Sequence, residues 1–124
     1  MQRPLLLATR FTMEKAFYRK HVERVAGCRV VVPDEPRRSR VHEVIYEELV
    51  QGRIRDESRA AYLSIIEHYR REQAIDAVIF GCTEVGLLLD QMSLDQAGLN
   101  LPAFDTTAIH CRAAAAAMLV TPGD

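Results

Sequence analysis

Ala77-Val78-Ile79-Phe80-Gly81-Cys82-Thr83-Glu84-Val85-Gly86-Leu87-Leu88-Leu89 is the stretch that decides the fold. Ala77 to Phe80 reads as a buried strand, Gly81 to Glu84 as a sharp turn, and the second apolar run as the start of a helix. The spacing predicts Cys82 where a helix dipole and unpaired backbone N–H groups favour negative charge. Such surroundings lower a thiol pKa and supply a thiolate base or nucleophile. The same residue also reads as a small buried cysteine that only packs. The local sequence leaves both readings open.

Upstream, Leu5-Leu6-Leu7-Ala8 reads as another buried strand, and Thr9-Arg10-Phe11-Thr12 as the turn after it. Thr12 is a suitable N-cap, and Met13, Phe17, Val22 and Val25 make a helical stripe that stops at Gly27. Two threonine hydroxyls beside a helix start suit a small anion pocket. A helix cap plus a solvated arginine is the other reading. Cys28 to Pro33 reads as a strand rich in β-branched residues and stopped by proline. Asp34 to Arg40 reads as a charged loop running into a helix, either a phosphate contact or a solvated face. Val41, Val44, Ile45, Leu49 and Val50 form the apolar face of that helix, which Gly52 ends; His42 lies off the face and is expected to be exposed. Arg53 to Arg55 form a connector. Asp56 or Ser58 caps the next helix, whose inner face holds Tyr62, Ile65, Ile66 and Tyr69.

Downstream, Asp90 to Asn100 reads as a polar loop and Leu101 to Phe104 as a last strand. A turn at Asp105-Thr106-Thr107 then leads to a final helix, Ala108 to Val120, with an alanine run at Ala113 to Ala117. The order β-α-β-α-α-β-α-β-α predicts an α/β fold: a three-layer α/β/α arrangement around a four-stranded parallel sheet with right-handed crossovers. Ligands bind at the carboxyl ends of the strands in such sheets. Thr9, Thr12, Cys82, Thr83 and Asp105 all fall at those ends, which favours the functional reading of Cys82.

Composition narrows the setting. The 124 residues suit one domain, and 48% hydrophobic content is enough for a core. A net charge of -1 gives no electrostatic case for nucleic acid. Cys28, Cys82 and Cys111 show no paired spacing, so a reducing compartment is expected rather than a disulfide framework. No apolar run reaches the length of a membrane span, and Arg10 interrupts the first one too early for a signal peptide. A cytoplasmic location is expected.

Several stretches together resemble the aspartate/glutamate racemase superfamily, and most of all the broad-specificity amino acid racemases of its aspartate racemase branch. They are Leu6 to Glu14, Val32-Pro33-Asp34, Ile45 to Leu49, Glu57-Ser58-Arg59, Gly81 to Leu88 and Phe104 to His110, in the family's order. Glu84 after the Cys-Thr pair fits that branch, since cell-wall glutamate racemases usually carry histidine there. The resemblance implies an isomerase that needs no pyridoxal phosphate or other cofactor and no metal, acting on a small amino acid. It implies two cysteines on opposite faces of the substrate α-carbon, one in each of two α/β lobes. Cys82 would be the second-lobe cysteine, with Thr83 helping to hold the α-carboxylate. Thr9 and Thr12 would line the pocket, and Glu84 would join them in binding substrate. Arg55 falls near a lysine that some aspartate-specific members use for the side-chain carboxylate; a surface arginine is the alternative.

Two departures accompany the resemblance. The family's first lobe and its Cys-Thr-Asn-type motif precede the stretches matched here, and neither Cys28 nor Cys111 lies in such a motif. Ala8 also replaces a glycine usual in the first turn. Residues 1–104 are therefore expected to form the second lobe, and residues 105–124 a helix that packs back on a first lobe. A partial racemase would need that lobe from a separate chain, or would cover the helix in a homodimer. The alternative is a degenerate, non-catalytic α/β module for binding or dimerisation. Single-base chemistry such as decarboxylation is a third reading.

Overall fold

The computed structural model describes residues 1–105. Strand β1 is Pro4–Leu7, followed by helices α1 (Arg10–Glu14), α2 (Ala16–Ala26) and α3 (Glu35–Glu47). A 3₁₀ turn at Leu49–Gln51 leads to α4 (Asp56–Gln73), β2 (Ala77–Phe80), α5 (Val85–Leu88), α6 (Gln91–Gln96) and β3 (Ala103–Asp105). The strands form one parallel sheet in the order β1-β2-β3, with Leu5 opposite Val78 and Ile79 opposite Phe104. Every residue of β1 and β2 is buried, as expected of parallel strands covered on both faces. Among the described residues no helix is long and apolar enough to cross a membrane.

The sheet among the described residues has three strands, not the four expected. The missing one is Cys28 to Pro33, which runs beside the free edge of β1 as a single parallel bridge between Val31 and Leu5. Its bonds are Arg29 N–H to Gln2 O at 2.8 Å, Val31 N–H to Pro4 O at 2.8 Å and Leu6 N–H to Val31 O at 2.9 Å. The ladder cannot extend further, because the next donors in its register are Pro4 on one side and Pro33 on the other. Neither has an N–H.

Other departures are local. Lys15, in extended conformation, splits the first helix in two. That break shifts the helical phase, so Phe17 leaves the stripe with Met13 and is 83% exposed. The first helix starts after Thr9, which leaves Thr12 inside it rather than at its cap. Helix α3 begins at Glu35 rather than after the charged stretch, because the Asp34 carboxylate accepts Arg37 N–H and Pro36 sits in the first turn. Val50 falls in the 3₁₀ turn and is exposed. The expected polar loop after Leu89 contains α6, capped by Asp90, whose carboxylate accepts Ser93 N–H at 2.8 Å. The expected final helix, with Cys111, lies outside the described residues.

Candidate active site

Gly81 carries the chain out of β2 in a space that admits no side chain. Its N–H donates to Leu7 O at 2.9 Å, which holds the turn against the end of β1. A Cβ at this position would stand 2.8 Å from the Ala8 Cβ and 3.1 Å from Leu6 Cδ1. The backbone then closes in i→i+3 steps, Val85 N–H to Cys82 O at 3.2 Å and Gly86 N–H to Thr83 O at 3.1 Å. Helix α5 is a single turn, and Arg59 of α4 donates its Nε–H to the Leu88 carbonyl at 2.9 Å.

In that turn the Cys82 thiol donates to Glu84 Oε2 at 2.6 Å, and Thr83 Oγ1 donates to the same oxygen at 3.2 Å. The surroundings act against the expected thiolate. Burial, then the neighbouring Glu84 carboxylate, push the Cys82 thiol up to about 11. The same hydrogen bond holds Glu84 below the usual carboxylate range. The helix-start effect is present, since the backbone N–H groups of Glu84 and Val85 act on the sulfur to lower its pKa, but burial and the Glu84 carboxylate outweigh it.

Cys82 and Thr83 line a pocket of about 230 Å³ with Phe80, Gly86, Leu89, Asp90, Ala103 and Asp105. It opens at the carboxyl ends of β2 and β3. Sequence reading found Cys82, Thr83 and Asp105; it missed Asp90, whose only signal was its spacing to Ser93 as a helix cap. Thr9 and Thr12 do not line this pocket. They sit after β1 with their hydroxyls 3.4 Å apart. Nor does Arg55, which pairs with Glu57 at 2.9 Å and Glu48 at 3.9 Å on the surface. Glu84 reaches the pocket through its bond to Cys82.

Two supporting residues were not assigned such roles from sequence. His42 is half-buried rather than exposed, and its Nδ1 accepts Arg10 N–H at 2.9 Å, fixing the turn that carries Thr9 and Thr12. Tyr62 is fully buried and donates to Val41 O at 2.7 Å. Burial raises its phenol pKa, with smaller electrostatic contributions from Cys82 and Glu48 in the same direction and from Arg40 against it.

A parallel α/β sheet that places a thiol–carboxylate pair at its carboxyl edge defines a class of domain whose chemistry sits on loops after the strands. The sequence matches the family described as Asp/Glu/hydantoin racemase over residues 1–114, and the chain belongs to that family. Two solved structures are similar to it. One is a candidate Asp/Glu racemase from Yersinia pestis, 40% identical, with a TM-score of 0.77; the match covers 98% of this chain and 50% of that one. The other is an aspartate racemase homologue from Pyrococcus horikoshii, 34% identical, with a TM-score of 0.76, covering 90% of this chain and 46% of that one. The chain thus spans about half the length of these two relatives.

Proposed function

We propose that this chain carries one half of a cofactor-independent amino acid racemase site, with Cys82 exchanging the α-proton of a small amino acid. The observation that carries the reading is the position of Cys82: beyond the carboxyl end of β2, in a pocket, with its proton held by Glu84. An α-proton is very weakly acidic, so the reaction needs a base or acid in contact with the carbon and polar groups beside the developing negative charge. Thr83 stands at the pocket wall, and its hydroxyl would turn from Glu84 to donate to the α-carboxylate when substrate binds. Thr9 and Thr12 belong to the neighbouring strand end and would join the site when a facing lobe closes over it. Arg55 lies outside this pocket, beside Glu48 and Glu57, and is given no substrate contact in this reading.

Inversion needs a proton donor on the face opposite Cys82. The two relatives are about twice as long as this chain, and the second group is assigned to a facing lobe outside the residues here. Incubation with L-aspartate, L-glutamate or L-homoserine, followed by chiral chromatography, tests this. This chain should form the D-enantiomer orders of magnitude more slowly than a two-lobe racemase, because removing one member of a cooperating pair costs that much. Rapid Cys82-dependent formation of D-amino acid by this chain would overturn the need for a facing lobe.

A further inference from the structure

We infer that Glu84 is a positioning residue that keeps Cys82 protonated at rest, so that Cys82 enters the catalytic cycle as the acid. This deepens the racemase reading and rests on it. The geometry is specific. Oε2 of Glu84 takes two donors, Cys82 Sγ at 2.6 Å and Thr83 Oγ1 at 3.2 Å. The thiol proton therefore lies on a line toward a carboxylate that Thr83 also holds. Ionising the sulfur would set a thiolate against that carboxylate and break the hydrogen bond, a double penalty in a partly dry pocket.

The side chains that face Cys82 from the other elements carry charge of both signs, with carboxylates nearest the pocket. Asp90, at the start of α6, and Asp105, in β3, line the same pocket. From α4, Tyr62 interacts electrostatically with Cys82, and Glu48 with Tyr62. Against them stand the backbone N–H groups of Glu84 and Val85, which favour the thiolate, and two cations further off, Arg40 acting on Tyr62 and Arg59 on Asp90. Among the described side chains it is Glu84 that hydrogen-bonds the sulfur directly.

The consequence is a direction for the chemistry. When a carbanion forms at the α-carbon, the S–H bond of Cys82 breaks, a C–H bond forms on its face, and the electron pair stays on sulfur. The resulting thiolate faces Glu84 and is a strong base. It recovers a proton from the next α-carbon presented to it or from water, which restores the Glu84 contact.

The test is the pH dependence of Cys82 alkylation by iodoacetamide, read by peptide mapping, in the wild type, Glu84→Gln and Asp90→Asn. Glu84→Gln keeps the size of the side chain and removes its charge. It should move the Cys82 profile to lower pH and raise the rate at pH 8 about tenfold, one pKa unit's worth. Asp90→Asn, in the same pocket but outside contact with the sulfur, should move it far less. The rate at Cys28 serves as the internal check on folding. An unmoved or upward-shifted profile in Glu84→Gln overturns the inference, as does an equal shift in Asp90→Asn. Alkylation reads the proton on sulfur whether or not the chain turns over substrate, so this outcome is independent of the racemisation assay.

Discussion

Replacing Gly81 with alanine probes the packing that sets Cys82 in place. The backbone of Gly81 is outside the left-handed region, so alanine meets no dihedral penalty and the cost is one of space. Its Cβ would lie 2.8 Å from Ala8 Cβ, 3.1 Å from Leu6 Cδ1 and 3.7 Å from Leu7 O. Carbon atoms pack best at about 3.5–4.0 Å. Neither backbone can retreat easily, because Gly81 N–H is bonded to Leu7 O and both strands are buried. Overpacking of this kind costs about 1–3 kcal/mol, and the lower entropy of the unfolded alanine chain returns about 0.4–1 kcal/mol. A net loss of about 1–2 kcal/mol is expected in urea unfolding. Ala8→Gly alone should destabilise by about 1 kcal/mol. In Ala8→Gly/Gly81→Ala the methyl is moved across the contact, and the double variant should be more stable than the sum of the single changes by about 1 kcal/mol or more. Strict additivity, or a Gly81→Ala chain as stable as the wild type, would refute the close approach of the two strand ends.

Asp76 ties down the N-terminus by accepting Gln2 N–H at 2.6 Å and Arg3 N–H at 2.8 Å; Asp76→Ala should cost about 1–2 kcal/mol in urea unfolding. Burial opposes its ionisation, but those amide bonds outweigh it and lower its pKa in the folded chain. Its contribution is therefore present above the unfolded carboxylate pKa and is lost as pH falls through the folded value, and the acid limb of a stability–pH profile should flatten in Asp76→Asn. Tyr62→Phe removes a buried donor to Val41 O and should cost about 1 kcal/mol, since that helical carbonyl retains its backbone environment. Arg55→Ala breaks only exposed ion pairs and should change the unfolding midpoint by less than the equivalent of about 0.5 kcal/mol.

The parts of the fold that sequence alone specified are those where one residue type has one use. Apolar runs at Leu5 to Ala8 and Ala77 to Phe80 became β1 and the central strand β2, because parallel, doubly covered strands bury four residues in a row. Pro33 reads as the end of a strand in the sequence, whereas with Pro4 it prevents the ladder from forming beyond one bridge. The helical stripe through Phe17 failed at a break that no glycine or proline announces, at Lys15. The location of Cys82 was legible from strand and turn, but the state of its proton was not. That state depends on a carboxylate two residues away folding back over the sulfur, and on burial by distant segments. Arg55 was unreadable for a similar reason: its partners Glu48 and Glu57 lie close in sequence, and geometry alone decides whether it meets them or a substrate.

The most direct test of the central claim is α-proton exchange in D₂O, followed by proton NMR of L-aspartate, L-glutamate and L-homoserine in the presence of this chain. Without a facing base, only the small ionised fraction of Cys82 can remove the α-proton and return a deuteron to the same face, which predicts slow loss of the α-proton signal from at least one of them, with the L-configuration kept, and no loss in Cys82→Ala. Exchange of equal rate in the wild type and Cys82→Ala, or no exchange with any of the three, would contradict it.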